Sequence, residues 1–160
     1  SNAITLRNVT HNVQSHPAVS FSPVAVTLDE LGDAWDNGSV HLTVQVAWNG
    51  RKVGMCDAGT DMTHHFGQLV AHASKTRALR AGTVVNSGTV SNAGFEKNGK
   101  TEWPKGYSCI AEKRAMETAL DGKATTEYMK FADTVRIEAK GKDGQSVFGA
   151  IEQELASLDA

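Results

Sequence analysis

The sequence predicts a mainly β fold with one or two helices, an α+β class, and two hairpin patterns support that prediction. Val40 to Trp48 alternate apolar and polar residues, which is the period of a half-buried strand. Asn49-Gly50 follows directly and favours a type I′ turn, because both residues tolerate positive φ. Arg51 to Cys56 should therefore return antiparallel. Thr134 to Lys140 alternate in the same way before Asp143-Gly144, which predicts a second hairpin.

Two short elements are predicted before the first hairpin. Val24 to Val26 predict a short strand entered through Pro23, because proline fits the first position of a strand. Thr27 and Glu30 have the spacing of a capping box and predict one turn of helix up to Gly32.

A longer helix is predicted after residue 60. Its apolar stripe has helical spacing and consists of Phe66, Leu69, Val70 and Ala73. Asp61 or Thr63 can cap the N-terminus of this helix, and Gly82 can end it.

The segment from Arg80 to Asn92 is predicted to be a strand with one face made mostly of hydroxyl groups. Ser87 and Thr89 share that face, and Gly88 between them permits a backbone or a ligand to come close. Two interpretations remain open at this point. The face is either solvated or the floor of a pocket.

Residues 92–106 predict a long loop. Tyr107 to Lys113 predict a further strand, and the composition of the residues that follow is typical of a helix. Glu112 would take an inward-facing position on this strand, where a carboxylate must be paired, protonated or functional. The alternative is an exposed glutamate paired with Lys113 or Arg114. Cys109 in the same strand is interpreted as an inert buried thiol.

Length and charge exclude several classes of function. The 160 residues correspond to one domain that is long enough to bury a core. Lys and Arg total 16 against 18 Asp and Glu, and neither sign forms a block, which argues against nucleic acid or a charged membrane surface as partner.

Cys56 and Cys109 lie in unrelated contexts and are expected to be free thiols of a cytoplasmic protein.

The sequence predicts one central domain flanked by short terminal segments. Residues 1–3 have the sequence of an expression-tag remnant, and residues 4–20 are interpreted as an N-terminal arm or loop. Residues 21–155 form the predicted domain, and residues 156–160 form a tail. The remnant runs directly into Ile4 rather than into a methionine. The chain is therefore expected to begin inside a longer protein, unless only the methionine was omitted.

The sequence contains residue types that two further kinds of site use. Acidic and histidine residues that a metal would favour lie close in sequence, namely Asp57, Asp61, His64, His65 and His72. No established zinc spacing occurs among them, so solvated cap residues are the expected interpretation. Ser87 lacks the G-x-S-x-G frame of a nucleophile, and nothing in the sequence assigns it a base.

Seven segments, taken in order, resemble the C-terminal half of bacterial fumarylacetoacetate hydrolase family proteins. The segments are Phe21–Thr27, Asp29–Gly32, Trp48–Gly50, Asp61-Met62, Ala71–Arg77, Ala81–Asn92 and Gly106–Arg114. The resemblance implies a β-rich roll or sandwich, here incomplete, that usually forms a homodimer. It also implies hydrolysis of carbon–carbon bonds in 1,3-diketo acids, or decarboxylation and tautomerisation of related oxo acids, in aromatic compound catabolism.

The resemblance also assigns residues to a site. Thr89 matches the substrate-contacting threonine of the family's S-G-T segment, with Ser87 and Gly88 beside it. Glu112 matches the glutamate of a Glu/His pair that activates water. His16 stands where relatives carry an active-site lysine, three residues before a valine that replaces their threonine.

The family holds Mg²⁺ or Ca²⁺ with a Glu-x-Glu pair and aspartates that precede the Phe21 segment. This chain lacks those ligands and the histidine partner, so it is expected to bind no metal tightly and to be inactive alone. The expected partners are a small oxo-acid substrate and a second copy of the chain. The alternative function is a shortened or degenerate relative that serves as a binding or dimerisation module. A metal-binding scaffold built on Asp61 and the histidines is a third hypothesis.

Overall fold

The computed structural model describes residues 19–157, which fold into antiparallel sheets and two α-helices. The strands are β1 Trp35–Asp36, β2 Ser39–Val40, β3 Thr43–Trp48, β4 Arg51–Asp57, β5 Phe95–Lys97, β6 Lys100–Glu102, β7 Thr134–Lys140 and β8 Ser146–Glu154. The helices are α1 Phe66–Ser74 and α2 Ile110–Asp121, with a 3-10 helix at Gly32–Ala34. The predicted α+β class is therefore confirmed.

The main sheet has four antiparallel strands in the order β4-β3-β7-β8. Both predicted hairpins are confirmed, since β3 pairs with β4 and β7 pairs with β8. The first hairpin turns at Asn49 and Gly50, whose φ values of 49° and 73° are the positive angles that a type I′ turn requires. The second turns through Gly144 at φ 77°.

One face of this sheet is apolar. Side chains paired across antiparallel strands project to the same side, and Val46 is paired with Gly54 on one neighbour and Ile137 on the other. Among hydrophobic side chains of the described residues, those buried are Leu42, Val46 and Cys56. The buried core is therefore small for a domain of this length.

The loop that precedes α2 crosses β4. The amide of Tyr107 donates to the carbonyl of Val53 at 3.0 Å, and the amide of Met55 donates to Lys105 at 2.7 Å. Gly54 and Gly106 form a bridge at the crossing, where a Cβ on Gly54 would lie 2.2 Å from the carbonyl oxygen of Tyr107. Close backbone approach therefore requires glycine at position 54.

The elements predicted before the first hairpin differ in the structure. Val24 to Val26 form no strand, because the amide of Val24 makes a single ladder-like bond, 3.1 Å to the carbonyl of Phe148. The predicted capped turn at Thr27 is instead a turn that leads into the 3-10 helix. Leu31 precedes that helix and supplies no side-chain cap, so the capping-box prediction is wrong.

The helix predicted after residue 60 is confirmed as α1, but its predicted ends are wrong. His65 is the N-cap: its Nδ1 accepts from the Gln68 amide at 3.3 Å, and the Gln68 side chain accepts from the His65 amide at 3.0 Å. The helix ends at Ser74, well before Gly82. At this end the Ser74 hydroxyl donates to the carbonyls of Val70 and Ala71 at 2.9 and 3.2 Å, and the amide of Lys75 bonds to His72 rather than to Ala71.

The strand predicted at Tyr107 to Lys113 is wrong, because α2 begins at Ile110 and follows Cys109 as N-cap. Residues of high helix propensity dominate from Ala111 onward, and they outweigh a short alternation that has no neighbouring strand. Gly122 at φ 77° ends the helix. Both cysteines are free thiols as predicted, although Cys109 is only half-buried and lies at a helix cap rather than in a strand. No helix within residues 19–157 is long and apolar enough to cross a membrane.

Candidate functional site

Three of the residues that the resemblance assigned to a substrate or catalytic role line one cavity of about 260 Å³. They are Ser87, Thr89 and Glu112, which come from a loop and from the first turn of α2. The other lining residues are Ala58, Asp61, Met62, Thr63, His64, Leu69, Val90 and Ser91. Gly88 lies between Ser87 and Thr89 in the chain without lining the cavity itself. The cavity therefore brings Glu112 together with Ser87 and Thr89, which lie well before it in the sequence.

The segment from Thr83 to Ser91 is not the predicted strand. The side chain of Asn86 accepts a hydrogen bond from the amide of Gly88, and Gly88 has φ 80°. This local turn competes with an extended ladder, which explains why the alternation gave the wrong secondary structure. The hydroxyl-bearing residues Ser87, Thr89 and Ser91 nevertheless lie together at the cavity.

Asn92 fastens the end of this segment to the end of β4. Its Oδ1 accepts from the amide of Asp57 at 2.7 Å, and its Nδ2 donates to the carbonyl of Asp57 at 3.0 Å. The same Nδ2 donates to Oδ2 of Asp61 at 3.1 Å, and the amide of Ala93 donates to that oxygen at 2.9 Å. Sequence reasoning missed this role. The available signal was an asparagine that follows an irregular Ser/Gly segment.

Asp57 organises the turn that leads to Asp61. Its Oδ1 accepts from the amide of Gly59 at 2.9 Å and from both the amide and the hydroxyl of Thr60 at 2.7 Å. Burial alone would raise the pKa of Asp57, but these hydrogen bonds, with His41 nearby, hold it below its ordinary value. Asp57 is therefore a charged structural group at the end of β4.

Glu112 lies on a helix rather than at the predicted inward-facing strand position. Its Oε2 accepts a hydrogen bond from the hydroxyl of Ser91. The alternative pairing with Lys113 or Arg114 is not observed, since Nζ of Lys113 lies 3.6 Å from Glu117 and Arg114 stacks on Tyr128 at 4.5 Å. Glu112 is thus exposed and held at the cavity wall by the loop opposite.

His16, the residue at the family's lysine position, falls outside residues 19–157 that the structure describes. Its placement relative to the cavity stays a prediction. The other histidines near the cavity have separate roles. His65 caps α1, whereas the side chain of His64 lines the cavity wall.

The described residues do not by themselves fit a hard divalent cation. Across residues 19–157, no three His, Cys, Asp or Glu side chains are grouped so that they could hold a metal ion. The two acidic side chains at the cavity, Asp61 and Glu112, already accept hydrogen bonds from protein donors. Mg²⁺ and Ca²⁺ take six or more oxygen ligands, so this donor set is too small. The hypothesis of a metal-binding scaffold on Asp61 and the histidines gains no support from this geometry.

The cavity suits a small molecule that carries several oxygen atoms. The hydroxyls of Ser87 and Thr89 can donate to carbonyl or carboxylate oxygens. Glu112 can accept a proton from a bound molecule or a water, and Ser91 holds its carboxylate in place. Leu69 and Met62 provide an apolar wall. Polar groups at one side of a mostly preformed concave surface are typical of a small-ligand site.

Comparison with known protein families gives one match. The profile of the family described as Fumarylacetoacetate (FAA) hydrolase C-terminal matches residues 3–156. The matched range contains every described residue that lines the cavity. No curated protein matches the chain significantly.

Proposed function

Because the chain belongs to the fumarylacetoacetate hydrolase family, we propose that the cavity bounded by Ser87, Thr89 and Glu112 binds a 1,3-diketo acid or a related oxo acid. The observation that supports this proposal is the meeting of the loop hydroxyls and the α2 carboxylate in one cavity of about 260 Å³. Such an acid presents the carbonyl and carboxylate oxygens that hydroxyl donors recognise.

Each residue has a proposed role. Thr89 and Ser87 donate hydrogen bonds to the keto and carboxylate oxygens of the bound acid. Glu112 acts as the general base that takes a proton from water when a carbon–carbon bond is hydrolysed. Its exposure leaves its carboxyl group accessible, and Ser91 restricts the directions in which that group points.

We further propose that this chain binds the acid without turning it over. Proteins of this family are generally metal-dependent, and the described residues do not assemble the required ligand set. The Mg²⁺ or Ca²⁺ ligands would then come from outside residues 19–157. The activity of a complete site would be that of a cytoplasmic hydrolase or decarboxylase of oxo acids.

Acetylpyruvate, the simplest acylpyruvate, tests both parts of the proposal. Its binding can be followed by the backbone amide signals of Ser87, Thr89 and Glu112, and its hydrolysis by loss of ultraviolet absorption of the enol, with and without Mg²⁺. We expect shifts at the cavity and no turnover. Thr89→Val removes the hydroxyl and should weaken binding roughly tenfold, whereas Thr76→Val, at an exposed position outside the cavity, should not. Equal affinity for the two variants contradicts the assignment, and Mg²⁺-dependent turnover contradicts inactivity.

A second candidate function is a dimerisation or binding module, which the exposed apolar surface favours. Phe21 and Phe131 are each 67% exposed and Tyr128 is 59% exposed, while few hydrophobic side chains of the described residues are buried. Large exposed apolar groups commonly mark surfaces that another chain covers. We propose a homodimer, to be tested by light scattering after gel filtration over a range of concentrations. A monomer at every concentration would contradict it.

A further inference from the structure

Asn92 follows the cavity residue Ser91, and its side chain joins separate elements of the fold. Its amide group has one acceptor and two donor hydrogens, and it makes three hydrogen bonds that join the loop to the end of β4 and to Asp61. Two of these bonds involve the amide and the carbonyl of Asp57, so the side chain pairs with that backbone as a neighbouring strand would. Asn92 is half-buried, so water competes only partly for these bonds.

The cavity loop depends on such side-chain anchors. Within the described part of the chain, residues 84–91 make no backbone–backbone hydrogen bonds. The loop is held instead by the hydroxyl of Ser108, which donates to the carbonyl of Val90, by the bond from Ser91 to Glu112, and by Asn92. Ordering an extended segment without a ladder costs conformational entropy, so each anchor contributes directly to the population of the formed cavity.

Asn92 also fixes a carboxylate at the cavity. Oδ2 of Asp61 accepts from Nδ2 of Asn92 at 3.1 Å and from the amide of Ala93 at 2.9 Å. Both donors belong to the end of the cavity loop. The loop and the Asp61 side chain therefore adopt their positions together.

We propose that Asn92 is a positioning residue of the ligand site: it holds the Ser87–Ser91 segment and Asp61 in the arrangement that binds the oxo acid. The inference rests on the proposed function for the identity of the ligand, but not for the arrangement itself. Asn92 touches no reacting atom in this scheme. It acts through the placement of Ser87, Thr89 and Asp61.

The substitution Asn92→Asp converts this arrangement into a pH-dependent one. The aspartate has the same shape, but it replaces Nδ2 by an oxygen that faces Oδ2 of Asp61 and the carbonyl of Asp57. At neutral pH two carboxylates repel each other at about 3 Å, so the loop is displaced. At acidic pH the pair retains one proton, and that proton restores a hydrogen bond between them. Other ionisable groups around this position are Cys56, which hydrogen-bonds to the Asn92 backbone, and Asp57 with its partner His41. Lys105 lies beside Cys56, and Glu112 and His64 line the neighbouring cavity.

The experiment measures acetylpyruvate affinity of wild type, Asn92→Asp and Asn92→Ala at pH 4.5 and pH 7.5, with every variant compared to wild type at the same pH. We expect Asn92→Asp to bind roughly tenfold more weakly than wild type at pH 7.5 and within about threefold at pH 4.5. Asn92→Ala should lose a similar factor at both pH values, because no proton restores its missing bonds. Asn98→Asp, in the exposed β5–β6 turn, is the matched control and should show no pH-dependent difference.

A second measurement separates this inference from the proposed function. Amide hydrogen exchange and chemical shifts of Ser87 to Ser91 report the loop without any ligand. If wild type fails to bind acetylpyruvate, the proposed function is wrong. The role of Asn92 is then still supported if the loop signals of Asn92→Asp differ from wild type at pH 7.5 and return to wild-type positions at pH 4.5. If the loop signals and the acetylpyruvate affinity of Asn92→Asp equal those of wild type at both pH values, the positioning role of Asn92 is wrong. If Asn92→Ala fails to fold, the two pH values of Asn92→Asp remain decisive.

Discussion

The hydroxyl of Ser91 donates a hydrogen bond to Oε2 of Glu112, 21 residues away in the chain, and thereby joins the cavity loop to the first turn of α2. Ser91→Ala removes the bond that holds the cavity loop against Glu112 on α2, so the formed cavity becomes less populated. A hydrogen bond to a charged group at an exposed site contributes about 1 kcal/mol, so acetylpyruvate affinity should fall threefold to tenfold. Titration monitored by amide shifts measures this loss.

The free energy of unfolding should fall by no more than about 1 kcal/mol in Ser91→Ala, because the bond is exposed. Ser146→Ala is the matched control. Ser146 is exposed at the start of β8, and its hydroxyl has no partner among residues 19–157. Equal affinity of Ser91→Ala and Ser146→Ala for acetylpyruvate would show that the bond from Ser91 to Glu112 does not hold the cavity loop in its binding arrangement.

A second prediction concerns acid stability, which depends on Glu117 of α2. Its carboxylate accepts from the amide of Thr125 at 2.7 Å and from the amide and hydroxyl of Thr126 at 2.8 and 2.6 Å. These bonds, led by the Thr126 hydroxyl, lower the pKa of Glu117 from 4.5 to about 2. A lowered folded-state pKa means that the stabilisation is present above pH 4.5 and is lost as the pH falls toward 2.

The difference in free energy of unfolding between wild type and Glu117→Gln should therefore shrink from pH 6 to pH 2. Urea unfolding at a series of pH values measures it. Wild type alone is not diagnostic, since other carboxylates with lowered pKa values, such as Asp57, also lose stabilisation in acid. Glu96→Gln, on the exposed β5 strand, is the control. A difference that stays constant with pH would show that Glu117 does not carry this dependence.

The elements predicted correctly are those whose signal is local. The alternation of β3 and the Asn49-Gly50 turn specify a hairpin within a few residues, because the turn alone brings the two strands together. The apolar stripe of α1 likewise needs no distant partner to be read. For the site, the family resemblance supplied Ser87, Thr89 and Glu112, and the structure brings these together in one cavity.

The sequence-based predictions are wrong where non-local contacts or side-chain-to-backbone hydrogen bonds determine the local structure. Residues 84–91 alternate like a strand, yet no described strand pairs with them, and the turn from Asn86 to Gly88 interrupts the extended chain. The role of Asn92 depends on the amide and carbonyl of Asp57, 35 residues away, and no sequence period encodes that contact. Similarly, the His65 cap uses an imidazole where hydroxyl or carboxylate caps were expected.

A third prediction separates two asparagines that occupy equivalent turns. Asn49 and Asn98 both have positive φ and both precede a glycine in a hairpin. Asn49 additionally donates to Oδ1 of Asp133 and accepts from the amide of Thr134, each at 2.7 Å. Alanine costs backbone strain at both positions, and that cost cancels in the comparison. Asn49→Ala should therefore lower the free energy of unfolding by about 1 kcal/mol more than Asn98→Ala does. Equal values in urea unfolding would mean that the Asn49 bonds contribute no net stability.

The last prediction concerns the crossing of the Gly106–Tyr107 loop over β4. A Cβ at Gly54 would lie 2.2 Å from the carbonyl oxygen of Tyr107, and backbone atoms on both sides cannot move apart without breaking the bonds at Val53 and Met55. Gly54→Ala should cost about 2–4 kcal/mol of unfolding free energy. Because Ser108 follows directly and anchors Val90, displacement of the crossing should also weaken acetylpyruvate binding.

Gly67→Ala is the matched control for this crossing, because a Cβ at Gly67 in α1 would lie 3.1 Å from the ring of His65, whose displacement weakens one side-chain cap bond but disturbs no backbone contact. Alanine also has the higher helix propensity, so the change in unfolding free energy should stay within about 1 kcal/mol. Thermal and urea unfolding compare the two variants. If Gly54→Ala folds and binds acetylpyruvate with near-wild-type affinity, the crossing does not position the cavity loop. The Ser108 anchor would then tolerate displacement of the crossing.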